Sequence, residues 1–317
     1  MDDKIETGAF SITLASRRSA LAMVQARHVV GLLADQTIDI LGLSTTGDEV
    51  LDRPLVEVGG KGVFIKALEA AMLDGRADAA VHSMKDMETI LAPGTRLVAV
   101  LSREDRRDAL IGAARLSDLP EGAHIGTSSV RRAAWLHHYR PDLKIGLLRG
   151  NVGSRLEKWR SGQFDAILLA MAGLKRLGLD TDESLAISPL SEQDMPPAAA
   201  QGALAIQCRT GTERAASVEP IFAALNDEAA LMEVTAERAM LAHLDGSCRT
   251  PISASAHFEA ATNSLHLYGA VLSADGSQKF DAEMQRVIDD GLSGATQLGT
   301  ELGADLLAQC GGHGFLA

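Results

Sequence analysis

Apolar positions along the chain change period repeatedly. Short apolar runs, FSITLA at 10–15, IDILGLS at 38–44 and RLVAVL at 96–101, alternate with stretches whose apolar residues recur every three or four positions, SALAMVQARHVVGLLA at 19–34 and GVFIKALEAAMLDG at 62–75. The runs predict strands, the longer stretches predict helices, and their alternation predicts a βαβ sheet. The rhythm resumes after REDRRDALIG: AHIGTSS leads into VRRAAWLHHYR, KIGLLRGN into VGSRLEKWRSG, and DAILLAMAG into LKRLG. A second α/β unit follows, broken by the polar, proline-containing stretch from Asp180 to Pro197. QGALAIQCR at 201–209 then reads as one more apolar strand that returns to the first sheet, so that two crossings would form a hinge. From Glu228 a long helix, EAALMEVTAERAMLAHL, precedes two alternating segments, PISASAHFEA and SLHLYGAVLSADGSQKFDAEMQ, and a last helix. That order predicts a smaller α+β domain.

Composition narrows the picture. A chain of 317 residues is too long for one ordinary core. We expect domain 1 over 1–103 and 201–224, domain 2 over 104–200 and domain 3 over 225–317. With 46% apolar but only 3% aromatic residues, helices packed on sheets fit better than an aromatic-rich sandwich. A formal charge of -12 disfavours nucleic acid and anionic membrane as partners. Three cysteines, Cys208, Cys248 and Cys310, make no disulfide framework. Met1 to Ser11 holds acids and no apolar run, and no later stretch approaches 18 uninterrupted apolar residues, so a cytoplasmic location is expected.

In this acidic chain the arginines collect where strands hand over to helices. There, free backbone N–H groups and the helix dipole favour anions. ASRRS carries Arg17, Arg18 and Ser19; GTSSVRR carries Thr127, Ser128, Ser129, Arg131 and Arg132; LRGNVGSR carries Arg149, Asn151 and Arg155; LKR carries Lys175 and Arg176. One such pair reads as a solvated charge or a surface ion pair. Four at equivalent positions point to a substrate with several carboxylates or phosphates, because the guanidinium fork matches those groups.

Other motifs are less decisive alone. GGKGVF, with Lys61 and Phe64, lacks the spacing of a Walker A loop and reads as a glycine turn or a mobile flap over the cleft. AVHSMKD ends an apolar strand with Ser83, Lys85 and Asp86. A strand-end Lys and Asp can pair structurally, but among arginines a carboxylate can also stabilise a cation on the substrate or move protons. The histidines show no HExxH spacing and the cysteines are too scattered for zinc, so no metal is expected. Cys248, in LDGSCRTPIS, stands in a small-residue turn with Arg249 behind it, a basic neighbour that favours a thiolate.

Taken in order, HSMKD, VGGKG, GTSSVRR, LRGNVGSRL, DAILLAMAGLKRLGL, AAAQGALAIQCR and LDGSCRTPI closely resemble the porphobilinogen deaminase (hydroxymethylbilane synthase) family from about Thr13 to Pro251. The resemblance implies two periplasmic-binding-protein-like (type II) α/β domains around a cleft, plus a smaller C-terminal α+β domain. It implies a monomeric transferase that joins four porphobilinogen molecules head to tail with loss of ammonia and releases hydroxymethylbilane. A dipyrromethane cofactor, made from the substrate and held by a thioether, is implied on Cys248.

Position by position, the resemblance makes Asp86 the catalytic aspartate, with Lys85 beside it. Arg17, Ser19, Ser83, Lys85, Asp86, Ser129, Arg131, Arg132 and Arg155 match cofactor-binding positions. Arg17, Arg149, Arg155, Arg176 and Gln201 match substrate-binding positions, as do Lys61 and Phe64 on the flap. Ala20, Met87, Glu88 and Ser247 depart from common family residues, but none removes a charged or bonding group. The competing reading is a non-catalytic two-lobed binding protein for a polyanionic small molecule.

Overall fold

The structure, a computed structural model, describes residues 11–45, 47, 62, 64–244 and 250–316. The first sheet has the order β2-β1-β3-β10-β4, built from β1 (Ser11–Arg17), β2 (Thr37–Leu43), β3 (Ala79–Ser83), β4 (Thr95–Val100) and β10 (Leu204–Arg209). β1 runs parallel to β2 and β3, whereas β10 is antiparallel to β3 and β4. Helices α1 (Ala20–Leu32) and α2 (Lys66–Leu73) connect its strands. The residues of β10 are buried up to Arg209, which gives this central strand a continuous apolar run rather than an alternating one.

The second sheet repeats the plan with the order β7-β6-β8-β5-β9: β5 (Asp108–Ile111), β6 (His124–Gly126), β7 (Lys144–Gly146), β8 (Ala166–Ala170) and β9 (Ile187–Pro189). β6 is parallel to β7 and β8, and β5 is antiparallel to β8 and β9. Helices α3 (Val130–Tyr139), α4 (Val152–Arg160) and α5 (Met171–Arg176) connect these strands. In each sheet the antiparallel strand next to the edge is reached by a crossing segment, 101–107 before β5 and 190–203 before β10. Two such sheets joined by two crossings make the type II periplasmic-binding-protein arrangement.

Two strands fall where the apolar pattern gives a break. β5 lies inside REDRRDALIG and β9 inside the stretch from Asp180 to Pro197. With four and three residues, neither is long enough to show a period, and β5 follows a run of charges. The expected helix over 62–75 shortens to Lys66–Leu73, closing at Gly75, whose φ of +77° lies in the left-handed region.

Helix α6 (Glu213–Ala223) packs Val218 and Phe222 into the core of the first sheet. The C-terminal unit is a three-stranded antiparallel meander, β11 (Ile252–Glu259), β12 (Ser264–Leu272) and β13 (Lys279–Val287), covered by α7 (Glu228–His243) and α8 (Leu292–Gln309). Its contacts reach both lobes. Ala230 and Val234 of α7 share a core with Met84, Met87 and Val100, and Ala270 and Leu272 of β12 share one with Leu110, Ile125 and Trp135. The indole N–H of Trp135 donates to Ser253 Oγ at 2.9 Å. Among the described residues no helix is long and apolar enough to cross a membrane.

Candidate active site

Three strand-to-helix turns bring polar caps and cations to the same sheet ends. Ser19, Ser129 and Asn151 are the N-caps of α1, α3 and α4; each side-chain oxygen accepts from a backbone N–H three residues on, Ala22, Arg132 and Ser154. Each cap is bracketed by arginines: Arg17 ends β1, Arg131 and Arg132 open α3, and Arg149 and Arg155 flank the start of α4.

Asp86 ends the one-turn 3-10 helix Met84–Asp86 that follows β3. Its Oδ2 lies 3.9 Å from Nη1 of Arg17, and both side chains are partly exposed. The guanidinium of Arg17 also stacks over the Phe64 ring, 4.1 Å from its centroid. Ser83 is held back against α1, where its hydroxyl accepts from the Gln25 amide nitrogen at 2.9 Å and lies 3.2 Å from the amide oxygen. Arg155 lies in the same field: burial first, then the charges of Arg132 and Arg149, push its pKa down to about 10, partly offset by Asp86. Its Nε donates to the carbonyl of Gly150 at 2.7 Å. Arg149 is buried and reaches across to the first lobe, 3.5 Å from the carbonyl of Gly47.

Lys85 lies deeper. Burial, followed by the charge of Arg132, pushes its pKa down to about 8, although Asp86 and Asp108 pull the other way. Its Nζ donates to Oε1 of Gln201 at 3.0 Å. Gln201 is presented by a strained turn. Ala200 has a φ of +59°, a conformation costing a non-glycine residue about 1–3 kcal/mol, and its N–H is held at 2.6 Å by Glu237. Gly202 follows at φ +93°, and a Cβ there would stand 2.3 Å from the carbonyl oxygen of Glu104.

Arg131 and Arg132 turn inward. Both pair with Asp108, at 2.6 and 2.7 Å, and their remaining terminal nitrogens donate to the carbonyls of Pro196 and Leu168. The Asp108 carboxyl is fully buried; burial alone would raise its pKa, but the two guanidiniums hold it well below the usual carboxylate range. Arg176 makes a different set of contacts. It donates to the carbonyl of Gly202 at 2.6 Å and lines a cavity of about 370 Å³ with Val24, His28 and Lys175. Lys61 and Cys248 lie outside the described residues.

Several residues that build the site carry no visible sequence signal. Asp108 is the last of three acids in the charged run REDRRD, and Gln25 is one of three polar residues of α1. A paired group forms beneath the hinge: Arg103 bonds Glu237 at 2.7 and 3.0 Å and Glu233 at 3.2 Å, while Arg106 bonds Glu233 at 2.7 Å. A buried carboxylate demands a partner, which is the one general clue to these acids; the partner's position is set by the fold.

The arrangement fits an anionic oligopyrrole. Among the described residues, the buried Nε–H groups of Arg131 and Arg132 have no hydrogen-bond partner. Such donors are costly when left unmade, and the carboxylates of a dipyrromethane would satisfy guanidinium groups of this kind.

Comparison with known proteins agrees. The family model described as porphobilinogen deaminase, dipyromethane cofactor binding domain, matches residues 12–217, and that of the porphobilinogen deaminase C-terminal domain matches residues 231–308. A porphobilinogen deaminase of Sorangium cellulosum is 46% identical over 301 residues, covering 93% of this chain and 98% of the relative. Similar solved structures include the VFT2 domain of Bordetella pertussis BvgS, with TM-score 0.39 and 14% identity over 67% of this chain and 85% of that one. Another is an arginine-specific periplasmic binding protein of Salmonella typhimurium, with TM-score 0.39 and 10% identity over 70% and 93% of the two chains. By its sequence over both matched regions, the chain belongs to the porphobilinogen deaminase family, whose members join porphobilinogen into hydroxymethylbilane on a dipyrromethane cofactor.

Proposed function

We propose that in this chain the family reaction runs at the Asp86 turn, with the dipyrromethane carried on Cys248 and the guanidiniums of the strand-end turns binding its carboxylates. The observation that carries this reading is the set of cations around one carboxylate. Asp86 sits 3.9 Å from Arg17, and its charge offsets those of Arg132 and Arg149 at Arg155. When bound, the cofactor supplies the primer on which the chain of pyrroles grows.

The roles follow from charge. Porphobilinogen loses ammonia, and positive charge then develops on its pyrrole; the fixed carboxylate of Asp86 stabilises that charge as it forms. Lys85, with its pKa pushed down to about 8, holds a proton that it can exchange near neutral pH. Arg17, Arg149 and Arg155 bind acetate and propionate groups, and Arg131 and Arg132 set the positive floor behind them. Ser19, Ser83 and Ser129 fix the turns from which these groups project. Phe64 supports Arg17 from beneath. Arg176 and Lys61 complete the substrate contacts, while Gln201, buried and bonded to Lys85, acts behind them.

We further assign domain 1 to 1–103 and 201–224, domain 2 to 104–200 and domain 3 to 225–317, a reading supported by the three sheets. The protein acts as a cytoplasmic monomer, without nucleic-acid or membrane partners. The test of the cofactor assignment is intact mass. The purified chain should exceed its sequence mass by two linked pyrrole units, and Cys248→Ala should lose that excess together with activity. An unmodified, fully active chain would overturn the assignment.

A further inference from the structure

We propose that Asp108 is a positioning residue for the reaction: it fixes the guanidiniums of Arg131 and Arg132 and, through the amide of Gln201, aims the Lys85 side chain beside Asp86. This rests on the reading of Lys85 and Asp86 as the reaction centre.

Asp108 is a carboxylate with no exposure at the first residue of β5, immediately after the first crossing segment. Its Oδ2 accepts from Arg131 at 2.6 Å, and its Oδ1 accepts from Arg132 at 2.7 Å and from Nε2 of Gln201 at 2.8 Å. The Gln201 amide has a determined orientation. Its NH₂ group faces two acceptors, Asp108 Oδ1 and the carbonyl of Arg106 at 2.7 Å, so its oxygen must face the third neighbour. That neighbour is the Lys85 ammonium, 3.0 Å away. Reversing the amide would set its oxygen against two acceptors and its NH₂ against a cation.

The result is a directional chain from Asp108 through Gln201 to Lys85, drawn from three parts of the molecule. Lys85 belongs to the turn after β3 in the first lobe, Gln201 to the second crossing segment and Asp108 to the second lobe. The turn holding Gln201 is itself fixed on both sides. The N–H of Ala200 is held by Glu237, and the carbonyl of Gln201 accepts from Arg103 at 2.8 Å. A purely structural ion pair would need only Asp108 and its arginines. The third bond, to an amide whose other end holds a lysine beside the candidate catalytic carboxylate, gives Asp108 a reach into the site.

The charges facing Lys85 come from its own turn, from α3 and from β5: Asp86 and Asp108 favour the ammonium, while Arg131 and Arg132 oppose it. Removing the Asp108 charge therefore makes Lys85 lose its proton at lower pH. Replacing Gln201 by leucine removes the acceptor for the ammonium and acts in the same direction, while leaving the Asp108–arginine pairs in place.

The test uses the holoenzyme and reads Lys85 directly, by competitive acetic anhydride labelling followed as a function of pH by peptide mass spectrometry. Asp108→Asn and Gln201→Leu should each move the Lys85 midpoint to lower pH by about one pH unit. The alkaline limb of kcat/KM should move with it, and kcat should fall more than KM changes. Should Asp108→Asn fail to fold, Gln201→Leu decides the matter alone. A Lys85 midpoint and an alkaline limb unmoved in every folded variant would overturn the proposal. Wild-type turnover in Asp86→Asn would instead overturn the reading of the reaction centre, and the labelling midpoint separates the two failures because it needs no turnover.

Discussion

Two groups of arginines in this molecule are handled in opposite ways. Beneath the hinge, Arg103 and Arg106 meet Glu233 and Glu237, two cations against two carboxylates. Every carboxylate oxygen there is used: Glu237 also accepts from the N–H of Ala200 and Ala256, and Glu233 from the N–H of Phe258, while Arg106 donates to the carbonyl of Ala256. In the cleft, Lys85, Arg17, Arg131, Arg132, Arg149 and Arg155 face Asp86 and Asp108 among the described residues. The hinge group is neutral and saturated, whereas among the described residues of the cleft Lys85, Arg131, Arg132 and Arg155 outnumber Asp86 and Asp108, at the cost of repulsion at Arg155. A saturated buried network fixes geometry and has little left for a ligand. An unbalanced one holds charge in readiness for an anion, which is how an acidic protein can bind an acidic product.

The contrast can be broken, first, at Asp86. Asp86→Asn keeps the shape of the turn but removes the carboxylate 3.9 Å from Arg17, so kcat should fall by about 10²–10³-fold. Intact mass should still show the adduct, and the thermal midpoint should stay at the wild-type value. Steady-state kinetics beside intact mass checks all three.

Next in size is Glu237→Gln, which takes from buried Arg103 its two-pronged carboxylate partner and leaves it only Glu233, at 3.2 Å and shared with Arg106. Loss of one partner in a buried pair costs about 3–5 kcal/mol. Denaturant unfolding should show a loss of that order, while KM for porphobilinogen in the folded variant remains close to wild type. A raised KM with unchanged stability would mean that the hinge group binds substrate after all.

Arg155→Gln should do the reverse. Its pKa, pushed down to about 10 by burial and by neighbouring arginines, means that the folded state disfavours its charge at neutral pH. Neutralising it should raise the thermal midpoint of the chain by about 2–4 °C, while KM rises about tenfold for the loss of one charge-assisted contact.

The smallest effect concerns Glu192, which ties the second crossing segment to β11. Burial alone would raise its pKa, but hydrogen bonds from His257 and Ser255 outweigh this and hold it down at about 2. A depressed carboxylate contributes stability above its unfolded pKa and loses it as the pH falls through the folded value. Glu192→Gln should therefore cost about 1–2 kcal/mol near neutral pH. Its unfolding curve should converge on wild type as the pH drops from about 4.5 toward 2.

The legible parts of the fold and the site share one property: they depend on neighbours in sequence. The strand–helix alternation of the first lobe, the capping serines and the gathering of arginines at strand ends can all be read from local spacing. β5 and β9 could not, because strands of four and three residues show no period. Asp108 and its partners escaped for a different reason. Arg131 and Arg132 lie 23 and 24 residues from it, and Gln201 lies 93 away. That these groups meet is a consequence of two crossings between sheets. The turn of Ala200 and Gly202 is equally unreadable, since its strain depends on Glu237 and on the carbonyl of Glu104.

A crystal structure of the holoenzyme measures the central claim most directly, because it locates each carboxylate of the bound pyrroles relative to the cations of the strand-end turns. The account predicts acetate and propionate oxygens within about 3 Å of guanidinium nitrogens of Arg17, Arg149 and Arg155, with a pyrrole N–H facing the Asp86 carboxylate. Carboxylates turned to solvent, or a pyrrole chain bound away from Asp86, would contradict it.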